Sequence, residues 1–224
     1  MKNIFYKIIN LIYENSCLIC SKGTECLRVC QTCESSFVIR KINSIKTFDE
    51  ITILSWGFYD GQLREGILKL KSGKRKLANY FGKKLRDFWR EPPNKSRFKD
   101  CLVIPVPSHN KRVQERGYCQ TTLLVKDFAL NLNMNYSSKL VKRIKETAYM
   151  NSLNTISDRA LNIKDAFEIN DNKVEEKNIL IIDDILTSGS TMCELAKTIH
   201  KKYPEINLMG LTIASGDKHN LSDN

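Results

Sequence analysis

A chain of 224 residues is long enough for one α/β core and a small appendage, and its 36 Lys and Arg against 25 Asp and Glu give a net charge of +11. That balance favours an anionic partner without naming one. No segment has the uninterrupted apolar length of a bilayer-spanning helix, so a transmembrane segment is excluded and a cytoplasmic protein is expected.

The first predicted element is a helix in "MKNIFYKIINLIYENS", where Ile4, Ile8, Leu11 and Ile12 recur at helical spacing. Lys7 and Asn10 interrupt the apolar face and no small-residue cleavage site follows, so it reads as an amphipathic cap rather than a signal peptide. A peripheral placement at the inner face of the membrane is the alternative.

Five of the eight cysteines lie between residues 17 and 33. Cys17 pairs with Cys20 and Cys30 with Cys33 as two C-x-x-C turns separated by nine residues. Each turn can aim two thiolates at one ion, and four thiolates complete a tetrahedral zinc site, here a structural zinc ribbon. Cys26 is the odd one out and is not expected to be a ligand. Disulfides or free thiols are the alternative, disfavoured in a reducing cytosol. A thioredoxin-like redox role lacks its βαβ context.

Beyond the ribbon, "ITILSWGFYDG" reads as a strand ending in an Asp-Gly turn, and Leu63, Ile67, Leu68 and Leu70 as a short helix. The basic run "KLKSGKRK", residues 69–76, is either a solvated loop or an anion contact. Leu77, Phe81, Leu85 and Phe88 predict an amphipathic helix over 76–90, which "EPPNKSRFKD" ends. "CLVIPVP" reads as a buried strand, 114–133 as a helix, "AFEI" and "NILIID" as strands, 189–202 as a helix, and "NLMGLTIAS" as the closing strand. This alternation predicts an open, mostly parallel sheet flanked by helices, with ligands bound beyond the carboxyl ends of the strands.

The stretch "ILIIDDILTSGST" carries the chemistry. Ile179 to Ile182 lack polar alternation, as in a strand buried on both faces. Asp183 and Asp184 are placed at the strand end, where paired carboxylates accept hydrogen bonds from vicinal hydroxyls, as on a ribose, or hold a hydrated divalent ion. Thr187, Ser188, Gly189, Ser190 and Thr191 then offer backbone N–H groups and hydroxyls to a phosphate at a helix N-terminus. A Walker A loop requires a lysine where Ser190 stands, and a dinucleotide fingerprint requires three glycines where this stretch has one. A ribose phosphate is therefore the expected ligand.

"ILIIDDILTSGST" resembles the phosphoribosyl pyrophosphate (PRPP) signature of type I phosphoribosyltransferases. The likeness implies that Asp183 and Asp184 meet the ribose hydroxyls and that residues 187–191 cradle the 5-phosphate. "VIPVPSHNKRVQERGYCQ" and "LVKRIKETAYMNSLNTISDRALNIKDAF" are similar to segments of the ComF-type competence proteins, which join a cysteine zinc ribbon to a phosphoribosyltransferase-like domain. Cys119 stands where that family has Asn, and Met150 where it has Gln.

The resemblance implies a ribbon unit over 1–48 and a phosphoribosyltransferase-like unit over 49–224. It also implies PRPP with Mg²⁺ as ligand, DNA uptake as the setting, single-stranded DNA as partner, and other competence proteins as further candidates. In a catalytic reading Ser108, Lys111 and Arg112 meet the pyrophosphate, and Arg143, Lys145 and Thr147 close over it, so that Asp183, Asp184, Arg143 and Lys145 are the catalytic candidates. Lys69, Lys71, Lys74, Arg75 and Lys76 are the DNA-binding candidates, with Trp56, Phe58 and Tyr59 as possible stacking faces.

Overall fold

The computed structural model describes residues 16–24, 28–39, 45–48, 50–92, 98, 100–147, 155–170 and 174–216; the expected N-terminal helix, Cys26 and Met150 lie outside them. The described chain runs α1 (Gln31–Ser35), β1 (Ile45–Phe48), β2 (Ile51–Phe58), α2 (Gly61–Lys71), α3 (Lys76–Arg90), β3 (Cys101–Pro105) and α4 (Asn110–Arg116). It continues α5 (Gln120–Leu130), β4 (Val141–Arg143), α6 (Ile156–Ile163), β5 (Phe167–Ile169), β6 (Asn178–Leu186), α7 (Ser190–Lys202) and β7 (Asn207–Ser215).

Five strands form one sheet in the order β1-β2-β7-β6-β3, parallel except for the antiparallel edge strand β1. β4 and β5 form a separate antiparallel pair. The expected division after residue 48 thus falls beyond β1, which already belongs to the sheet. Along β6, alternate residues serve opposite layers. Leu180 and Ile182 pack into the cluster formed with α2, α3 and α5, while Ile179 and Ile181 pack into the one formed with α7. This two-sided burial is why the strand carries no polar alternation.

The helix expected over 114–133 is two helices. Gly117 takes φ 73, a left-handed conformation that ends α4 and that a side chain would strain. The break turns Tyr118 inward. Its hydroxyl donates to the Leu70 carbonyl and accepts from the Gly73 amide at 3.2 Å, tying the segment to the turn between α2 and α3. The run "KLKSGKRK" is accordingly the end of α2, that turn, and the start of α3, not one continuous loop.

The cysteine segment packs onto the same core. Cys17, Ile19, Val29, Cys33 and Phe37 join Leu63, Ile67, Leu70 and Phe81 in one buried cluster, with the Phe37 ring edge-on to Trp56 at 6.0 Å. Gly66 permits this approach: a Cβ there would lie 2.9 Å from the Phe81 ring and 3.0 Å from Ile19 Cδ1. Replacing Gly66 with Leu should therefore lift the segment from α2 at a cost of about 1–3 kcal/mol. Urea unfolding checks this, and an unchanged midpoint would show that the contact yields freely.

Candidate functional site

Strand β3 pairs with β6 only as far as Pro105 opposite Ile182, and the Val106 amide closes the ladder on the Ile182 carbonyl at 2.9 Å. β6 runs on beside β7 to Leu186, so Asp183 and Asp184 are still in strand register instead of beginning a loop. With β3 gone from their side, a cleft of about 330 Å³ opens beyond the carboxyl ends of the strands. Its walls bring together Asp183, Asp184, Thr187, Thr191, Ser108, Arg112 and Arg143, all selected from sequence, with Lys71, Arg116, Gln120, Thr121 and Tyr59.

The two acids are not equivalent. Asp184 is 5% exposed; its Oδ2 accepts from Gln120 Nε2 at 3.1 Å and lies 3.3 Å from Lys71 Nζ. Gln120 is itself oriented, because Arg116 donates to its Oε1 at 3.0 Å. Asp183 accepts the Asp184 backbone N–H at 2.8 Å. Burial, and then the neighbouring Asp184 carboxylate, push the Asp183 carboxyl well above its usual range, against the opposing pull of that N–H, Lys71 and Arg143.

Opposite the acids stand cations crowded on one another. Arg112 donates to the Thr147 carbonyl at 2.7 Å and Arg143 to the Thr147 hydroxyl. Burial and then Arg112 pull the Arg143 guanidinium down to about 10, and its Nε is buried with no hydrogen-bond partner. An anion between these groups would relieve both defects.

Gly189 at φ 80 caps α7 in the left-handed region, and a Cβ there would lie 2.5 Å from the Phe48 ring. Glycine is thus required at the centre of the loop that turns residues 187–191 across the helix N-terminus. Ser188 and Ser190 share a hydroxyl contact of 2.9 Å.

Other candidates fall outside the cleft. The Lys111 amine pairs with Glu146 at 2.8 Å on the surface, while Lys145 donates to the Lys164 carbonyl at 3.3 Å. The basic run divides by partner. Lys69 donates to the Ile19 carbonyl, Lys71 enters the cleft, and Arg75, though exposed, donates to the Gly117 carbonyl at 2.8 Å over the Tyr118 ring; Lys74 and Lys76 are exposed beside it. Trp56 and Phe58 are 7% and 3% exposed and offer no stacking face, because β2 is covered on both sides; Tyr59 lines the cleft. Cys119 precedes α5, its thiol 3.6 Å from the Ser108 hydroxyl and 3.1 Å from that of Thr121. Sequence spacing gave no sign of Gln120 and Arg116, since the break at Gly117 lets Gln120 reach Asp184 and Arg116 reach Gln120.

The four sulfurs of Cys17, Cys20, Cys30 and Cys33 lie within 4.8 Å of one another. The 3.9 Å between Cys17 and Cys33 and the 3.7 Å between Cys20 and Cys30 are too long for disulfides, about 2.05 Å. They match the edge of about 3.8 Å that a tetrahedron with Zn–S bonds of about 2.3 Å requires. Backbone N–H groups of Ile19 and Cys30 point at Cys17 Sγ from 3.4 and 3.3 Å, as thiolate ligands need. The donor set and its geometry fit zinc. One zinc per chain is the expected metal content, and stripping it should lower the melting temperature, since metal binding free energy at such a site adds to folding free energy. Metal analysis with calorimetric melting checks this; an equally stable metal-free protein would refute a structural ion.

The family described as Phosphoribosyl transferase domain matches residues 135–219. Competence protein F of Haemophilus influenzae is 34% identical over 115 residues, 50% of this chain and 50% of that protein. The DNA utilization protein YhgH of Escherichia coli K12 is 31% identical over 97 residues, 43% of this chain and 42% of that protein. The chain therefore spans about half the length of these relatives or less. Competence protein ComFC of Bacillus subtilis is 21% identical over 206 residues, covering 88% of this chain and 76% of that protein. With a phosphoribosyltransferase-like α/β domain and an N-terminal four-cysteine cluster, the chain is similar to the ComF-type competence proteins.

Proposed function

We propose that this protein binds PRPP with Mg²⁺ in the cleft and handles single-stranded DNA in the cytoplasm during natural transformation. The observation that carries the ligand is the facing of an acidic pair by a cationic wall at the N-terminus of α7. Ribose hydroxyls would donate to Asp183 and Asp184, and the 5-phosphate would take the amides and hydroxyls of residues 187–191. The pyrophosphate would lie against Ser108, Arg112 and Arg143, bringing Mg²⁺ with it.

Asp183→Ala with Asp184→Ala removes the hydroxyl acceptors and, with charge-assisted bonds worth about 1.5–3 kcal/mol, should weaken PRPP at least about tenfold. Calorimetry on the folded double variant is the check, and undiminished affinity would make the dyad purely structural.

Transfer of ribose 5-phosphate to an acceptor is a second reading, favoured by the pairing of Arg112 and Arg143 on Thr147. In that step the bond from the anomeric carbon to pyrophosphate oxygen breaks, pyrophosphate leaves with the electron pair, and the acceptor's lone pair forms the new bond. Both guanidiniums would stabilise the leaving charge. Pyrophosphate release in the presence of candidate bases separates an enzyme from a binding module.

The DNA role draws support from the competence and DNA utilization relatives and the +11 charge. The basic run needs a narrower test than its length suggests, because Lys69, Lys71 and Arg75 have internal partners. Replacing Lys74 and Lys76 with Gln should weaken oligonucleotide binding and lower the logarithmic salt slope by about 1.4, from two lost single-strand phosphate contacts. Titrations at several salt concentrations measure it; a slope equal to the parent's would move the DNA path elsewhere on the surface.

A further inference from the structure

Helix α2 ends with two lysines that reach in different directions. Lys69 donates to the carbonyl of Ile19, one of the two residues inside the Cys17–Cys20 turn. Lys71, one helical step past Leu70, places its Nζ 3.3 Å from Asp184 Oδ2. The turn between is fixed from a third side, where Tyr118 donates to the Leu70 carbonyl and accepts from the Gly73 amide. Farther along α2, Gly66 seats the Ile19 side chain and Gln62 Oε1 lies 3.7 Å from Cys33 Sγ. One rigid helix therefore touches the cysteine cluster and the acidic pair.

Asp184 depends on that contact. The Asp184 side chain is 7% exposed, and a buried carboxylate survives only with partners. Lys71 and the Gln120 amide both meet Oδ2, and Gln120 is held in turn by Arg116. Moving Lys71 by a fraction of a turn would loosen the carboxylate that a ribose hydroxyl is to meet.

We propose that Lys71 is a positioning residue that fixes Asp184 for the ligand, and that α2 relays the seating of the cysteine ribbon to the cleft through it. Only the affinity arm of its test rests on the PRPP reading. Three variants of the zinc-loaded full chain are compared: Lys71→Met removes the charge, Lys71→Arg keeps it, and Lys69→Met cuts the ribbon tie while leaving Lys71 in place. The first readout, at fixed pH and without ligand, is the NMR shift of the Asp184 carboxyl carbon and the Gln120 side-chain amide. The second is calorimetric affinity for PRPP with Mg²⁺.

Lys71→Met should move both resonances and weaken PRPP by about tenfold, with Lys71→Arg recovering most of the affinity. Lys69→Met should move the same resonances less and weaken PRPP by about threefold, with zinc still bound by metal analysis. Resonances unmoved in Lys71→Met would overturn the positioning role. A Lys69→Met protein indistinguishable from the parent would overturn the relay. If the resonances respond as described but the parent binds no PRPP, positioning stands and the ligand reading falls.

Discussion

The burial of the Asp184 carboxylate at the open end of β6 is the constraint on which the cleft and the helices around it depend. A charge withdrawn from water beside a second acid needs compensation at short range, and two elements supply it. Helix α2 follows directly from β2 and delivers Lys71, and α5 starts with Gln120 aimed at the same oxygen. The break at Gly117 ends α4, sends Tyr118 into the α2 turn and lets α5 start with Gln120 beside Asp184.

The cleft that results is balanced for a ligand with two kinds of group. A metal ion alone would answer the acids and aggravate the crowding of Arg112 with Arg143. A phosphate alone would relieve the arginines and leave the acids facing each other. A ribose bearing phosphates, the ligand proposed above, would satisfy both sides at once, because its hydroxyls donate while its phosphates accept. The helix N-terminus by itself favours any anion, whereas the acidic pair beside it adds a demand for hydroxyl donors.

Much of this was legible in the sequence, and the gaps have physical causes. The unbroken aliphatic run predicts β6 because burial on both faces removes the need for polar alternation, and the two C-x-x-C turns predict the cysteine cluster because both halves of the pattern are local. The extent of β6 past the acids was not legible, since β7, pairing across the sheet, extends it to Leu186. Gly117 gave only a weak sign of a helix break, as glycine within an apolar pattern is often tolerated. Lys71 looked like one member of a charge run, and only the packing of α2 separates it from Lys74 and Lys76. Trp56 and Phe58 looked available for stacking because a sequence does not show that both are buried, Trp56 against Phe37 of the cysteine segment.

The cysteine segment and the cleft both meet helix α2, through Lys69 and Gln62 on one side and Lys71 on the other. Whether PRPP occupies the cleft beyond β3 and β6 can be read by mapping backbone amide shifts by NMR as PRPP and Mg²⁺ are added. Occupancy of the cleft should give saturable shifts centred on the amides of Thr187 to Thr191, with Ser108 and Thr147 following at the same ligand concentration. Saturable binding whose shifts fall elsewhere, or no binding at millimolar PRPP, would contradict it.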